Sequence, residues 1–386
     1  MHFVGGNRLT LLCNGAAYFP ALAEAIDAAA EEVFIESYIY ADDETGSLIT
    51  DALARAAARG VRVRLLVDGF GARHFPQRFR DILDSAGAAL LVFRPRLSLI
   101  PRRNRMRRMH RKLAAIDGRV AFVGGINVTD DYESPLEDPR TTPPRYDYAV
   151  RIEGPLAHVV RGAAARLWQR VRWAQRGRRT RLEPPPARPP LAGEQRAALV
   201  IRDSLRHRGD IERAYLQLIG AARVEIVIAC AYFFPGRQFR KALIAAARRG
   251  VRVRLVLQGK IEYPFLHYAS RGLYDAMLDA GIEIFDYHAA LLHAKAAVFD
   301  RRIASVGSSN IDPLSLLLAQ EANVFVEDPR FALELHQSIE GAVRFGALPV
   351  RPRLWKRQPW LTRLRIAVTF ALARFLISFY GFERYH

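Results

Sequence analysis

Two histidines and two lysines have the residue types and the spacing for phosphoryl-transfer chemistry. His110 and Lys112 lie two positions apart, and His293 and Lys295 repeat that spacing in the second half of the chain. In a β-strand, side chains at i and i+2 point to the same face, so each histidine would project together with its lysine. Imidazoles that move protons, placed beside cationic ammonium groups, suit an anionic phosphodiester substrate.

Each pair begins a longer motif, H-x-K-x4-D-x6-G-x2-N, which occurs twice with identical spacing. The further members are Asp117, Gly124 and Asn127 in the first copy and Asp300, Gly307 and Asn310 in the second. Two such copies in one chain are very improbable by chance, so they indicate an internal duplication that brings both to a shared site. The sequence has no H-E-x-x-H, cysteine-cluster or Walker A pattern. We therefore expect no metal and no cofactor, with the lysines supplying positive charge.

The motif residues can divide the reaction into two steps. One histidine can attack phosphorus and carry the phosphoryl group, while the other protonates the leaving alkoxide and then deprotonates the acceptor hydroxyl. The lysines, supported by Asn127 and Asn310, can balance charge on the phosphoryl oxygens. Asp117 and Asp300 occupy the positions of tight turns, so we predict that they mainly build hairpins and hold a loop rather than exchange protons.

A nucleophilic histidine needs a partner on its second ring nitrogen to fix its tautomer. Asp147 and Glu321 occupy matching places just before the next strand of each half. They are therefore candidates for that role. The alternative is that both are ordinary acids at the edge of a strand.

The duplication extends well beyond the motif and predicts the fold. Residues 52–69, ALARAAARGVRVRLLVDG, match residues 242–259, ALIAAARRGVRVRLVLQG, at most positions. Alternation of apolar strands with helices predicts an α/β fold of two homologous domains, each a mixed sheet flanked by helices, related by a pseudo-twofold axis. The predicted segments are a first domain (1–175), a Pro/Arg-rich linker (176–195), a second domain (196–345) and a basic, apolar tail (346–386).

The paired motifs resemble the phospholipase D superfamily. RRMHRKLAAID, ACAYFFPG and GSSNIDPLSL are similar to segments of bacterial cardiolipin synthases, and the chain length and lack of N-terminal spans favour their B branch. Over about residues 5–345, the resemblance implies one active site shared by two half-domains and a phosphohistidine intermediate without metal. It also implies transfer of a phosphatidyl group between two phosphatidylglycerol molecules, releasing glycerol. The catalytic residues that it implies are His110, Lys112, Asp117, His293, Lys295 and Asp300, with His110 as nucleophile and His293 as acid/base.

Other functions stay open at this point. A phospholipase D-type hydrolase would use water as the acceptor, and a nuclease of the superfamily would suit the formal net charge of +19. A catalytically inactive membrane-binding scaffold is a third alternative, although both motifs are intact. The apolar tail and the resemblance outside the motifs favour an anionic phospholipid, phosphatidylglycerol, over nucleic acid.

Arginines are concentrated before and inside the first motif, interleaved with Leu97, Leu99, Ile100 and Met106. They are Arg94, Arg96, Arg102, Arg103, Arg105, Arg107, Arg108 and Arg111. A loop of this composition is predicted to press on an anionic bilayer and admit a lipid. The alternative is a solvated basic loop.

The tail gives a second indication of membrane contact. Pro359 and Gly381 are suited to start and end a helix, and residues 366–380 are largely apolar. At ~1.5 Å per residue this run spans roughly 22 Å, shorter than the ~30 Å hydrocarbon core. We predict a helix lying in the membrane interface, with a helix docked on the protein and a spanning helix as alternatives.

The N-terminus has no apolar signal segment, and Cys13 and Cys230 are too few for a disulfide framework. Both features predict a reducing compartment. We therefore expect a peripheral protein on the cytoplasmic face of the bacterial inner membrane. The sequence leaves its oligomeric state open.

Overall fold

The fold is given by a computed structural model, which describes residues 1–94, 107–132, 143–176, 186–203, 206–313, 315 and 318–379. Its strands are β1 (Val4–Cys13), β2 (Glu32–Ser37), β3 (Arg62–Asp68), β4 (Ala89–Phe93), β5 (Lys112–Ile116), β6 (Val120–Gly124), β7 (Tyr148–Glu153), β8 (Gln195–Arg202), β9 (Glu225–Cys230), β10 (Arg252–Gln258), β11 (Glu283–Tyr287), β12 (Lys295–Phe299), β13 (Ile303–Gly307), β14 (Glu321–Glu327) and β15 (Ala347–Pro349). Its helices of the first half are α1 (Asn14–Asp27), α2 (Glu44–Ala58), α3 (Gln77–Ser85) and α4 (Pro155–Arg176). Those that follow are α5 (Asp210–Ala221), α6 (Arg237–Arg248), α7 (Pro264–Arg271), α8 (Tyr274–Leu278), α9 (Pro329–Gly346), α10 (Pro352–Lys356) and α11 (Trp360–Phe379).

The strand order shows the predicted duplication. It runs β15-β11-β10-β9-β12-β13-β14-β8-β1-β7-β6-β5-β2-β3-β4. Apart from β15, the order from β11 inward to β8 repeats the order from β4 inward to β1. The central pair, β1 and β8, is antiparallel, so a pseudo-twofold axis passes between them. The predicted mixed α/β fold of two homologous halves is confirmed, and the two sheets join edge to edge at this pair.

Each motif lies on a hairpin, β5–β6 in the first half and β12–β13 in the second. The three-residue turn of each hairpin places its first two residues in the left-handed region: Asp117 (φ 51°) and Gly118 (φ 60°) in the first half, and Asp300 (φ 51°) and Arg301 (φ 52°) in the second. Consecutive residues with positive φ match the twist of antiparallel strands. The hairpins therefore fix the direction in which each histidine and lysine leave the sheet.

The two halves share a buried core. One apolar cluster contains Val123 and Val150 of the first half together with Val306 and Val324 of the second. Strand β6 packs on β14 and β7 on β13, while α4 covers β5. Because the core spans both halves, the two motif hairpins are held in a fixed relation to each other.

The tail is built onto the second half. Strand β15 extends the sheet by pairing antiparallel with β11, and α11 begins directly after Pro359, as the sequence predicts. One face of α11 packs on α7, where Phe370 lies over Gly272. Within the part of the chain that the structure describes, no helix is long and apolar enough to cross a membrane. The predicted helix end at Gly381 and residues 177–185 of the linker lie outside the described residues.

Candidate active site

The two motifs meet because each one is hydrogen bonded to the other half. The backbone N–H of His110 donates to the Gln320 carbonyl at 2.9 Å, and that of His293 donates to the Tyr146 carbonyl at 2.9 Å. Tyr146 is in the first half and Gln320 in the second, so both contacts cross the pseudo-twofold axis. The structure therefore brings the two histidines and their lysines together at one site.

A carboxylate from the opposite half contacts Nδ1 of each histidine. Glu321 Oε1 lies 3.0 Å from His110 Nδ1, and Asp147 Oδ2 lies 2.6 Å from His293 Nδ1. Both carboxylates are buried, and Ser308 donates its hydroxyl hydrogen to Glu321. A carboxylate at Nδ1 holds the proton on that nitrogen, so Nε2 keeps its lone pair for the substrate. The geometry places both acids where the tautomer-fixing role requires them, and the role itself stays a prediction.

The lysines are buried and directed by their own motif backbones. Lys112 Nζ donates to the His110 carbonyl at 2.8 Å, and Lys295 Nζ donates to the His293 carbonyl. Burial lowers the pKa of Lys112 to about 7 and also lowers the pKa of Lys295. Burial likewise lowers the pKa of both imidazoles, that of His293 well below its usual value. Burial thus favours neutral imidazoles, which is the form that a nucleophile requires.

Two of these groups give a pH prediction. Burial raises the pKa of Asp147 to about 6, so its carboxylate, which orients His293, is lost as pH falls through 6. Lys112, with its pKa of about 7, loses its cation as pH rises through 7. Because kcat/KM reports groups of the free enzyme, we expect it to be highest between these values.

The pH prediction is checked on phosphatidylglycerol vesicles from pH 5 to 9. Lys112→Arg should move the alkaline limb upward, since a guanidinium stays charged. Lys241→Arg, at an exposed position of α6, is the control and should leave the profile in place. An alkaline limb that does not respond to Lys112→Arg would assign that limb to another group.

The motif aspartates accept hydrogen bonds from backbone N–H groups near the start of a neighbouring strand. Asp117 accepts from Ala30, Glu31 and Glu32, each at 2.8 Å. Asp300 accepts in the same way from the backbones of Arg223, Val224 and Glu225, at 2.9, 2.8 and 2.9 Å. These hydrogen bonds connect the β5–β6 hairpin to the start of β2 and the β12–β13 hairpin to the start of β9. The contacts agree with a loop-holding role, and a direct catalytic role for the two aspartates stays a prediction.

Asp117→Ala should therefore affect stability more than chemistry. It leaves three N–H groups without their charged acceptor, and hydrogen bonds to charged groups contribute about 1.5–3 kcal/mol each. We expect a loss of about 3 kcal/mol or more in the free energy of unfolding, measured by urea denaturation. Folded protein should keep its kcat within about tenfold, since no group that moves protons is removed. Asp51→Ala, at an exposed position of α2, is the control, and a large fall in kcat at unchanged stability would contradict the prediction.

The two motif asparagines differ in their surroundings. Asn127 Oδ1 accepts from the Ile39 backbone at 3.2 Å, so this oxygen supports the loop after β2. Asn310 is also buried, and its Oδ1 has no hydrogen-bond partner among the residues that the structure describes. The proposed charge-balancing role of both asparagines stays a prediction.

Tyr38 and Asp68 also shape the site. The Tyr38 ring lies edge-on to His110, with centroids 4.9 Å apart, and Lys112 Nζ is 5.3 Å from the Tyr38 ring centroid. Asp68, at the end of β3, accepts from the Met109 backbone at 2.8 Å and so fixes the residue before His110. The only available signal for Tyr38 is that the duplication aligns it with Tyr232.

Arg111 does not belong to a lipid-facing loop, which corrects one part of the prediction. It is only 1% exposed and forms an ion pair with Glu36 across 2.9 Å. The physical reason is strand alternation: a side chain between His110 and Lys112 points to the opposite face. Most of the predicted lipid-facing loop, residues 95–106, lies outside the described residues.

Two homologous halves with an H-x-K motif on each, and with both motifs at one site, define a phospholipase D-like catalytic fold. The family model described as "Cardiolipin synthase, PLD-like domain" matches residues 22–135 and 215–342. Cardiolipin synthase B of Escherichia coli (strain K12) is 37% identical over 392 aligned positions, which cover 99% of this chain and 91% of that protein. A cardiolipin synthase of Staphylococcus aureus (strain N315) is 30% identical, with 92% of this chain and 71% of that protein covered.

Among solved structures, phosphatidylserine synthase of Haemophilus influenzae Rd KW20 has the same fold. Its TM-score is 0.67 at 15% sequence identity, covering 95% of this chain and 92% of that one. The chain belongs to the cardiolipin synthase family of phospholipase D-like proteins. The predicted resemblance to the B branch and the prediction of a phosphatidyltransferase are confirmed.

Proposed function

We propose that this chain makes cardiolipin by transferring a phosphatidyl group from one phosphatidylglycerol to another, with release of glycerol. The observation that carries the proposal is the pair of histidines, each oriented through Nδ1 by a carboxylate of the opposite half. Such a pair can perform two successive displacements at one phosphorus atom. The family to which the chain belongs supplies the expected lipid class.

In the proposed mechanism, Nε2 of His110 attacks the phosphorus of the first phosphatidylglycerol. His293 protonates the glycerol oxygen as its bond to phosphorus breaks, which leaves a phosphatidyl–histidine. His293 then removes the proton from a hydroxyl of the second phosphatidylglycerol, whose oxygen displaces His110. Lys112 and Lys295 balance the charge on the phosphoryl oxygens in both steps. A bound phosphodiester anion raises the pKa of His293, so the acid form arises with the substrate.

The test is an incubation of the purified full-length chain with phosphatidylglycerol vesicles in EDTA, with products identified by mass spectrometry. Cardiolipin plus glycerol is the expected result and would also show that no added metal is required. Phosphatidic acid alone would mean that water is the acceptor and that the chain is a hydrolase. No lipid product, together with cleavage of DNA and salt-sensitive DNA binding, would replace the proposal with a nuclease.

We also propose that the chain works peripherally at the cytoplasmic face of the bacterial inner membrane, with α11 in contact with the lipid. While one face of α11 packs on α7, the outer face exposes Leu364, Val368 and Phe375, at 50%, 56% and 63%. Helix α11 carries arginines and no acidic residue. An apolar ridge on a basic helix suits an anionic bilayer surface.

Val368→Glu combined with Phe375→Glu should weaken binding to phosphatidylglycerol vesicles by about tenfold or more. Burying one such side chain in an apolar medium contributes about 1.5–3 kcal/mol, and the new carboxylates are repelled by the lipid. Vesicle co-sedimentation at several lipid concentrations measures the change. Leu333→Glu, a substitution of a half-exposed residue on α9, is the control. Equal binding by the double variant and this control would rule out α11 as the contact.

A further inference from the structure

A small cavity adjoins the second motif at the carboxyl ends of β9 and β10. Its volume is about 30 Å³, and the polar residues that line it include Tyr232, Gln258, Glu262, Tyr263 and Ser270. Ala231, also on its wall, donates its backbone hydrogen to the carbonyl of Ala294 at 3.0 Å. Ala294 directly follows His293, so one wall of the cavity is hydrogen bonded to the backbone next to the second motif histidine.

Gln258 breaks the symmetry between the halves. It is 7% exposed, and neither its side-chain oxygen nor its nitrogen has a hydrogen-bond partner among the residues that the structure describes. The duplication aligns it with Asp68, whose carboxylate is engaged by the backbones of Met109, Phe70 and Gly71. A buried carboxamide without partners is unfavourable unless a ligand completes its hydrogen bonds. The first half therefore uses this position to hold its backbone, whereas the second half leaves the polar atoms of Gln258 available to a ligand.

The lining indicates the chemical class of the ligand. The Gln258 carboxamide has one acceptor oxygen and one nitrogen with two donor hydrogens. A hydroxyl group can donate to the oxygen and accept from the nitrogen. Tyr232, beside Gln258, donates its phenol hydrogen to Glu262, which adds oxygen atoms to the wall. A water-sized group needs about 10–15 Å³, so the cavity has room for about two hydroxyl groups. These features suit the hydroxyl-bearing end of a glycerol.

We propose that this cavity binds the glycerol headgroup of the acceptor lipid, with Gln258 hydrogen bonded to its hydroxyls. The inference rests on the proposed function and deepens it by placing the acceptor. In the second step, the acceptor hydroxyl oxygen bonds to phosphorus as the histidine–phosphorus bond breaks, and its proton passes to the histidine beside it. That histidine is His293, so the placement also makes His110 the carrier of the phosphatidyl group.

The position of the cavity relative to the tail supports a lipid-borne glycerol. Leu266, His267 and Ser270 of α7 form one wall, and α7 also packs on α11. A bilayer against the outer face of α11 would thus lie one helix away from the cavity. This arrangement suits a headgroup that is still attached to its membrane lipid.

Headgroup exchange with deuterated glycerol tests the proposal. The full-length chain is given phosphatidylglycerol vesicles and labelled glycerol, and labelled phosphatidylglycerol, cardiolipin and phosphatidic acid are measured. We expect Gln258→Leu to raise the KM for glycerol by about tenfold, the effect of losing one or two hydrogen bonds, and to lower cardiolipin formation. Phosphatidic acid formation should stay within about twofold, because water needs no such site. Gln217→Leu, at an exposed position of α5, is the control.

A second variant keeps the test decisive if Gln258→Leu fails to fold. Tyr263 is 57% exposed, so Tyr263→Phe removes a hydroxyl at the cavity rim without disturbing the core, and it should raise the same KM a few-fold. An unchanged KM in both variants would overturn the proposal. So would a raised KM for free glycerol with normal cardiolipin formation, because the cavity would then hold only the released product. Failure of the proposed function is distinct: the wild-type chain itself would make neither cardiolipin nor labelled phosphatidylglycerol.

Discussion

His110→Ala and His293→Ala should each lower the rate of cardiolipin formation by at least about 10⁴-fold, since residues that act as one unit fail together when either is lost. Both imidazoles lie at one site and each is held by a buried carboxylate. Neither variant removes the α11 ridge, so vesicle binding should remain at the wild-type level. The two measurements are product formation by mass spectrometry and co-sedimentation with phosphatidylglycerol vesicles.

The same pair of variants also separates the two roles. With His110 as nucleophile, His293→Ala should still allow some transfer to His110 and slow the release of the lipid. A phosphatidyl–His110 adduct should then be found by peptide mass spectrometry in that variant and not in His110→Ala. An adduct on His293 in His110→Ala would reverse the assignment. His74→Ala, which lies outside both motifs, is the matched control and should retain activity.

The duplication explains why so much of this architecture can be predicted from one sequence. Matching strands, helices and hairpins in both halves follow from the repeated segments, because the same apolar pattern and turn residues recur. Asp147 and Glu321 can be found in the same way, since each occupies a matching place after its motif. The joining of the two sheets through β1 and β8 cannot be predicted from the repeated segments, because edge pairing depends on packing between the halves.

The structural differences between the two halves cannot be predicted from the sequence in this way. Asp68 and Gln258 align, yet one is hydrogen bonded to three backbone groups and the other lines a cavity. Arg111 lies in a basic segment, yet it is buried against Glu36. Helix α11 is apolar on both faces, so its pattern does not tell which face docks on α7. In each case the outcome depends on neighbours that are distant in the chain, which local pattern does not specify.

Removing the carboxylates that orient the histidines should lower kcat by between about 10²- and 10⁴-fold. Asp147→Asn and Glu321→Gln keep the size of each side chain, but an amide can donate to Nδ1 and so favour the wrong tautomer of the ring. Because each carboxylate acts on the histidine of the opposite half, a substitution in either half should disable the whole site. Steady-state cardiolipin formation measures the loss.

Matched controls lie on the same two strands. Glu153 on β7 and Glu327 on β14 pair with Arg8 and Arg196 at the surface, so Glu153→Gln and Glu327→Gln should leave kcat within about twofold, as expected for exposed ion pairs. If Asp147 acts by positioning His293, Asp147→Asn should also abolish the acid limb of the kcat/KM profile, because the Asp147 pKa of about 6 produces that limb. If Asp147→Asn lowered kcat and left that limb in place, the carboxylate would be structural, and another group would have to set the tautomer of His293.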